Sequence, residues 1–211
     1  MATKKKGKKA RARKPVAKKK PAPKKAVKKP GKAPAKQLAA KVVAKAAPAH
    51  NPWKDYADAL AREMNTTLRV MRAFPADQAH FQPHPRSGSA HQLFNTFGIE
   101  QGVALGAVNG TLDLASAFSA PRAETLAGAI EAFERNAGAV VAAARAASPA
   151  AWRRPQPFFT GPKQMGQLPA GAIASMMLWD QIHHRGQLSV YLRMAGGSVP
   201  SIYGPSADEP W

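Results

Sequence analysis

The stretch WDQIHHRGQLSVYLRMAGG, residues 179–197, sets Asp180, His183, His184, Arg185 and Gln187 into what otherwise reads as one long amphipathic helix. Stepping from Ile173 at three or four residues passes through Met176 or Met177, Asp180, His184, Leu188 and Tyr191. The face that should be buried thus carries a carboxylate and an imidazole one turn apart. His183 falls at the edge of that face, and Arg185 and Gln187 fall nearer its flanks. A buried charge is costly unless it is paired or bound to a metal, so the placement calls for a partner. Two partners fit. The four-residue spacing lets Asp180 and His184 chelate one ion. Alternatively, Asp180 accepts a hydrogen bond from His183 or His184, or pairs with Arg185, in a buried polar network.

Three more helices precede this one. Trp53, Tyr56, Leu60, Met64, Leu68 and Met71 recur at helical spacing, with Asn51 as cap, Pro52 in the first turn and Phe74-Pro75 as the stop. Pro83 and Pro85 make the next segment a loop and deprive His80 and His84 of a helical register. A second helix is expected over about Ser89–Val108 and a third over about Ala123–Ala147, the latter ended by Pro149. The Pro- and Gly-rich segment 152–171 reads as an irregular excursion or short hairpin, and the last helix spans about Ala170–Met194. Trp152, Phe158, Phe159 and Trp179 read as core or rim packing. Four amphipathic helices without a clear strand pattern indicate an all-α four-helix bundle.

Charge is distributed unevenly. Residues 1–47 hold 19 of the 32 Lys+Arg and none of the 12 Asp+Glu, so the tail carries +19 and the remainder +1. The tail is built of Lys, Ala and Pro and is expected to be disordered, with a transient helix at 38–47, ahead of a bundle domain at 50–211. Its composition is similar to that of linker-histone and bacterial histone-like tails. Such a cation density binds polyanions through counterion release, so a nonspecific nucleic-acid tether is one reading and a solubilising extension the other. The tail has no aromatic residue for base stacking. No cysteine is present, which excludes disulfides, thiolate ligands and a cysteine nucleophile. Neither a signal-peptide pattern nor a membrane-length apolar run occurs, so a cytoplasmic protein is expected, nucleoid-associated if the tail binds DNA. The apolar stretch LPAGAIASMMLW, residues 168–179, offers a face for a homodimer.

HHRGQLSVYLRMAGG, followed by VPSIYGPSAD, resembles the last helix and tail of the DinB-like superfamily, and the resemblance extends over roughly residues 50–211. It implies a four-helix bundle holding a divalent metal on three histidines, one from the second helix and a His-x3-His pair on the fourth. Laid on this chain, the pair falls on Asp180 and His184. Aligning RSGSAHQLFNTFGIE by Arg86-Ser87 and Glu100 puts Asn95 at the helix-two histidine, with His91 one turn earlier. Two imidazoles and a carboxylate suit zinc, nickel, iron or manganese, whereas the Asn95 carbonyl is a weaker, harder ligand. The implied activity is metal-dependent transfer of a small thiol, or a related hydrolysis. The competing implication is a non-catalytic member of the fold with a degenerate site.

Overall fold

Asn51 starts the first helix as its position indicates: its side-chain oxygen accepts from the Trp53 amide, Pro52 occupies the first turn, and α1 runs Pro52–Arg72. The structure, a computed structural model, describes residues 50–211. The basic tail, with its expected disorder and short helix, lies outside them. Ser89 and Gln92 close a reciprocal capping box at the head of α2, Ala90–Asn109, and Gly110 ends it in the left-handed conformation at φ 78°. A six-residue helix, α3 at Leu114–Ser119, follows in the connection to the next long helix. Thr125 caps α4, Leu126–Ala146, which delays its start by three residues relative to the expected Ala123. The last helix, α5, spans Ala170–Met194.

The Pro- and Gly-rich segment is an antiparallel hairpin, β1 at Pro155–Gly161 paired with β2 at Gln164–Pro169. It is the one sheet among the described residues of an otherwise helical fold. Arg154 and Gln156 bind it to the end of α2, donating to the Val108 and Ala107 carbonyls at 2.7 Å each. These carbonyls lack intrahelical donors, so the two side chains satisfy groups that a helix end leaves open. At the head of α5 a Cβ on Gly171 would stand 2.2 Å from the Trp152 ring, so this contact requires glycine. Among the described residues no helix is long and apolar enough to cross a membrane.

In the bundle α1 and α2 each pack against both α4 and α5. Two apolar layers fill the interior. One gathers Leu68, Met71, Phe94, Phe97, Phe133 and Leu188. The other gathers Trp53, Leu60, Ala104, Val140, Ala174 and Leu178. Between them, on α1, α2 and α5, lies a polar layer: Glu63 and Thr67, Glu100 and Gln101, then Gln181, His184 and Arg185.

That layer corrects the expected face of α5. Gln181 and Arg185 are fully buried, while Asp180 stands at the rim and His183 and Gln187 face solvent. Arg185 was expected on a flank; burial is possible because its charge is met there. Its Nη1 donates to Glu63 Oε2 at 2.6 Å and its Nη2 to the Tyr203 hydroxyl at 2.5 Å, and that hydroxyl donates to Glu63 at 2.7 Å. Gln181 continues the chain, donating to Thr67 at 3.0 Å and accepting from Gln101 at 2.8 Å. Glu63→Ala strands the buried guanidinium, and removing one partner of a buried pair costs about 3–5 kcal/mol. A loss near that size is expected in denaturant unfolding. Asp58→Asn, which breaks the exposed pair with Arg145, is expected to change stability little.

Candidate metal centre

Asp180 and His184 lie one turn apart on α5, and the structure brings them together on the seam with α2, Nδ1 of His184 standing 3.8 Å from Oδ1 of Asp180. The residue of α2 set against them is Glu100, whose Oε1 lies 2.5 Å from the same Nδ1. One ligand atom from each of the three falls within 4.8 Å of the others. Their side chains grade from interior to surface, at 4% exposure for Glu100, 19% for His184 and 48% for Asp180. Phe97 packs edge-on against the His184 ring. The cluster therefore has a dry floor and an open rim.

The second oxygen of Glu100 decides what the arrangement can do. Oε2 is buried and has no hydrogen-bond partner among the described residues. A buried carboxylate oxygen without a donor is costly, and a cation is the partner that would relieve it. With a cation in place of the protons that Glu100 and His184 hold, two carboxylates and one neutral imidazole would present a formal charge of −2, which matches a divalent ion. The set is O,O,N, with the nitrogen already aimed at both carboxylates.

The expected helix-two candidates are engaged elsewhere. His91 Nε2 lies 2.7 Å from the Ala123 carbonyl, and Asn95 brackets the same residue, accepting from its amide at 2.8 Å and donating to its carbonyl at 3.2 Å. Together they fasten the segment before α4 to α2. Glu100, a flank of the helix-two alignment in the sequence, is the residue that faces the pair. Its spacing to Phe97 and Ala104, three and four residues, places a carboxylate on a buried apolar stripe, the same signal that singles out Asp180. His183 is exposed, its Nε2 2.9 Å from Gln187.

Burial pushes the Glu100 carboxyl up to about 7, against the lowering effect of the His184 hydrogen bond and charge, and nearby Asp180 pushes it further up. His184 is held above the ordinary imidazole value, chiefly by its hydrogen bond to Glu100 and against its own burial. Both groups bind protons more tightly folded than unfolded. Their stabilising contribution is full below the unfolded values; the Glu100 share is lost as pH rises through about 7, and the His184 share as pH rises through its own raised value. Metal-free protein is therefore expected to lose stability between about pH 5 and pH 8 in denaturant titrations. Glu100→Gln, which removes one titrating group and the partner that raises the other, is expected to flatten that loss. An equally steep loss in the variant would detach the pH dependence from this cluster.

Comparison with known proteins gives a consistent family. A family model described as the DinB superfamily matches residues 59–188. The uncharacterized protein YrdA of Bacillus subtilis is 46% identical over 43 residues, 20% of this chain and 26% of YrdA, so the match spans about a quarter of that relative. A solved DinB-like protein of Bacillus cereus aligns with a TM-score of 0.54 at 17% identity, over 70% of this chain and 95% of that one. The DinB-like protein YjoA of Bacillus subtilis aligns at 0.51 and 18% identity, over 69% of this chain and 96% of that one. At such identities the two structures attest the fold alone.

Proposed function

The chain belongs to the DinB superfamily, and on that premise we propose that it is a divalent-metal protein whose ion is held by Asp180 and His184 of α5 together with Glu100 of α2. The observation that carries this reading is the buried, unpartnered Oε2 of Glu100 beside an imidazole nitrogen and a second carboxylate. Zinc, nickel, iron and manganese all suit a mixed oxygen and nitrogen set. A bound ion of this kind supplies Lewis acidity, lowering the pKa of a thiol or water at its open positions. The proposed activity is accordingly transfer of a small thiol or a related hydrolysis.

The chain's own residues divide the work. Glu100 and Phe97 close the inner side and exclude water, His184 orients its Nδ1 toward both carboxylates, and Asp180 at the rim leaves the approach open to a small substrate. Protein purified without chelator is expected to retain a transition metal by elemental analysis. Added metal at a hundredfold excess over Kd is expected to stabilise the fold by about 3 kcal/mol. His184→Ala and Glu100→Gln are expected to remove or sharply weaken both effects, and exposed His183→Ala neither. Asp180→His, which places a second imidazole one turn from His184, is expected to tighten binding. A wild type that holds no metal and gains no stability from zinc, nickel, manganese or iron makes the cluster a structural polar network and the non-catalytic reading correct.

The tail supports a second reading that is compatible with the first. Nineteen cations without an anion in residues 1–47, against +1 in the rest of the chain, favour nonspecific binding of nucleic acid, which would place the protein at the nucleoid. Deleting residues 1–47 is expected to abolish most duplex-DNA binding and leave thermal unfolding of the bundle unchanged. If about eight phosphates are engaged, log affinity falls against log salt with a slope near −7. Binding retained by the truncated protein would locate the DNA-binding surface on the bundle instead.

A further inference from the structure

His91 and Asn95, which do not join the Glu100 cluster, spend their polar atoms on one residue of the connection between α3 and α4. Asn95 holds both the amide and the carbonyl of Ala123, and His91 shares that carbonyl. The residue so fastened is the neighbour of Arg122. Arg122 is exposed, and its guanidinium donates to the Ala120 and Phe118 carbonyls at 3.2 and 2.8 Å. No carboxylate among the described residues lies within ion-pair distance of it. A guanidinium has five N–H donors in a planar fork, so most of this one is open to an outside acceptor.

Arg122 lines a cavity of about 150 Å³ between α2, α3 and α4. Packed interiors leave few voids larger than a water molecule, so a space of this size beside the core is unusual. Phe94, Ile99 and Ala129 make its walls apolar, and Asn136 of α4 adds a half-buried amide with no hydrogen-bond partner among the described residues. The floor is bare α2 backbone at Gly98 and Gly102, one turn apart, where a Cβ would meet nothing within 4 Å. Glycine in mid-helix costs helix stability, and neither position has a backbone angle or a close contact that requires it. What the two glycines supply is room. A void of about 150 Å³ with apolar walls takes a benzene-sized molecule.

We propose that this cavity binds a small aromatic carboxylate, its ring lying flat on the Gly98–Gly102 floor against Phe94 and Ile99 and its carboxylate on Arg122. The ring matches the volume and the flat floor, and the planar anion matches the free edge of the guanidinium. Entry past α3 costs little, because that helix closes one side with Ala117 yet has no buried residue of its own. The site is separate from the metal cluster. Gly98 and Gly102 stand two residues to either side of Glu100, about 200° around the helix, so the two sites lie back to back across α2. Binding of the carboxylate does not depend on the metal.

Benzoate is the probe, titrated into the full-length protein at physiological salt while the resonances of the Gly98 and Gly102 amides and the Asn136 side chain are followed. Saturable shifts at these three positions are expected, with a Kd of about 1 mM or tighter for a ligand of this size. Acetate, which has the charge without the ring, and toluene, which has the ring without the charge, are each expected to bind at least tenfold more weakly. Gly98→Leu, which fills the floor, is expected to abolish the shifts at Gly102 and Asn136 without lowering the melting temperature. Arg122→Gln is expected to weaken benzoate at least tenfold and to leave toluene unchanged. Both variants keep the basic tail, so benzoate held by tail cations would survive in them. No saturable shift at ten times the expected Kd, benzoate binding unchanged in either variant, or acetate or toluene bound as tightly as benzoate would overturn the proposal.

Discussion

A guanidinium in the middle of the bundle constrains the rest of the molecule. Arg185 is almost wholly removed from solvent, and it can stay charged there because Glu63 of α1 and Tyr203 of the C-terminal segment meet it. The requirement fixes the rotation of α5. With Arg185 and Gln181 turned toward α1, Asp180 and His184 one residue earlier must fall on the seam with α2, where Glu100 waits. The C-terminal segment is fixed by the same demand, and Arg193–Asp208 and Arg69–Glu209 hold its far end on the surface. These exposed pairs are screened by solvent and act as guides more than as anchors.

The polar layer thus has two halves with different characters. On the α1 side, donors and acceptors are matched: Arg185, Glu63, Tyr203, Thr67 and Gln181 satisfy one another. On the α2 side they are not, since Glu100 keeps a buried oxygen unpaired and one imidazole is shared between two carboxylates. A matched network rigidifies a core, while an unmatched one of net negative charge is suited to taking up a cation. The apolar layers above and below seal both halves. α4 stands apart from this division, its inward face being Phe133, Ala137, Val140 and Ala144.

Much of this was legible along the chain, because it depends on neighbours in sequence. The Asn51-Pro52 start and the helical stripes locate the four long helices to within a few residues. The Asp180–His184 pair follows from spacing alone. What was not legible depends on distant partners. Which face of α5 turns inward is set by Glu63, 122 residues away, and by a tyrosine beyond the helix, so hydropathy on α5 alone put the stripe one residue out. Asn95 and His91 looked like ligands because of where they align, yet their polar atoms close the segment before α4 at Ala123. The short α3 depends on Asp113, whose carboxylate accepts from the Ala115 and Ser116 amides over a run too brief to show periodicity.

The central claim is that the unmatched half of the polar layer holds a divalent ion between α2 and α5. Anomalous diffraction from crystals grown with zinc tests it most directly, because it locates the ion without reference to activity. The account predicts one strong peak among the side chains of Glu100, Asp180 and His184. A peak at His91 and Asn95, or none in the bundle at saturating zinc, would contradict it.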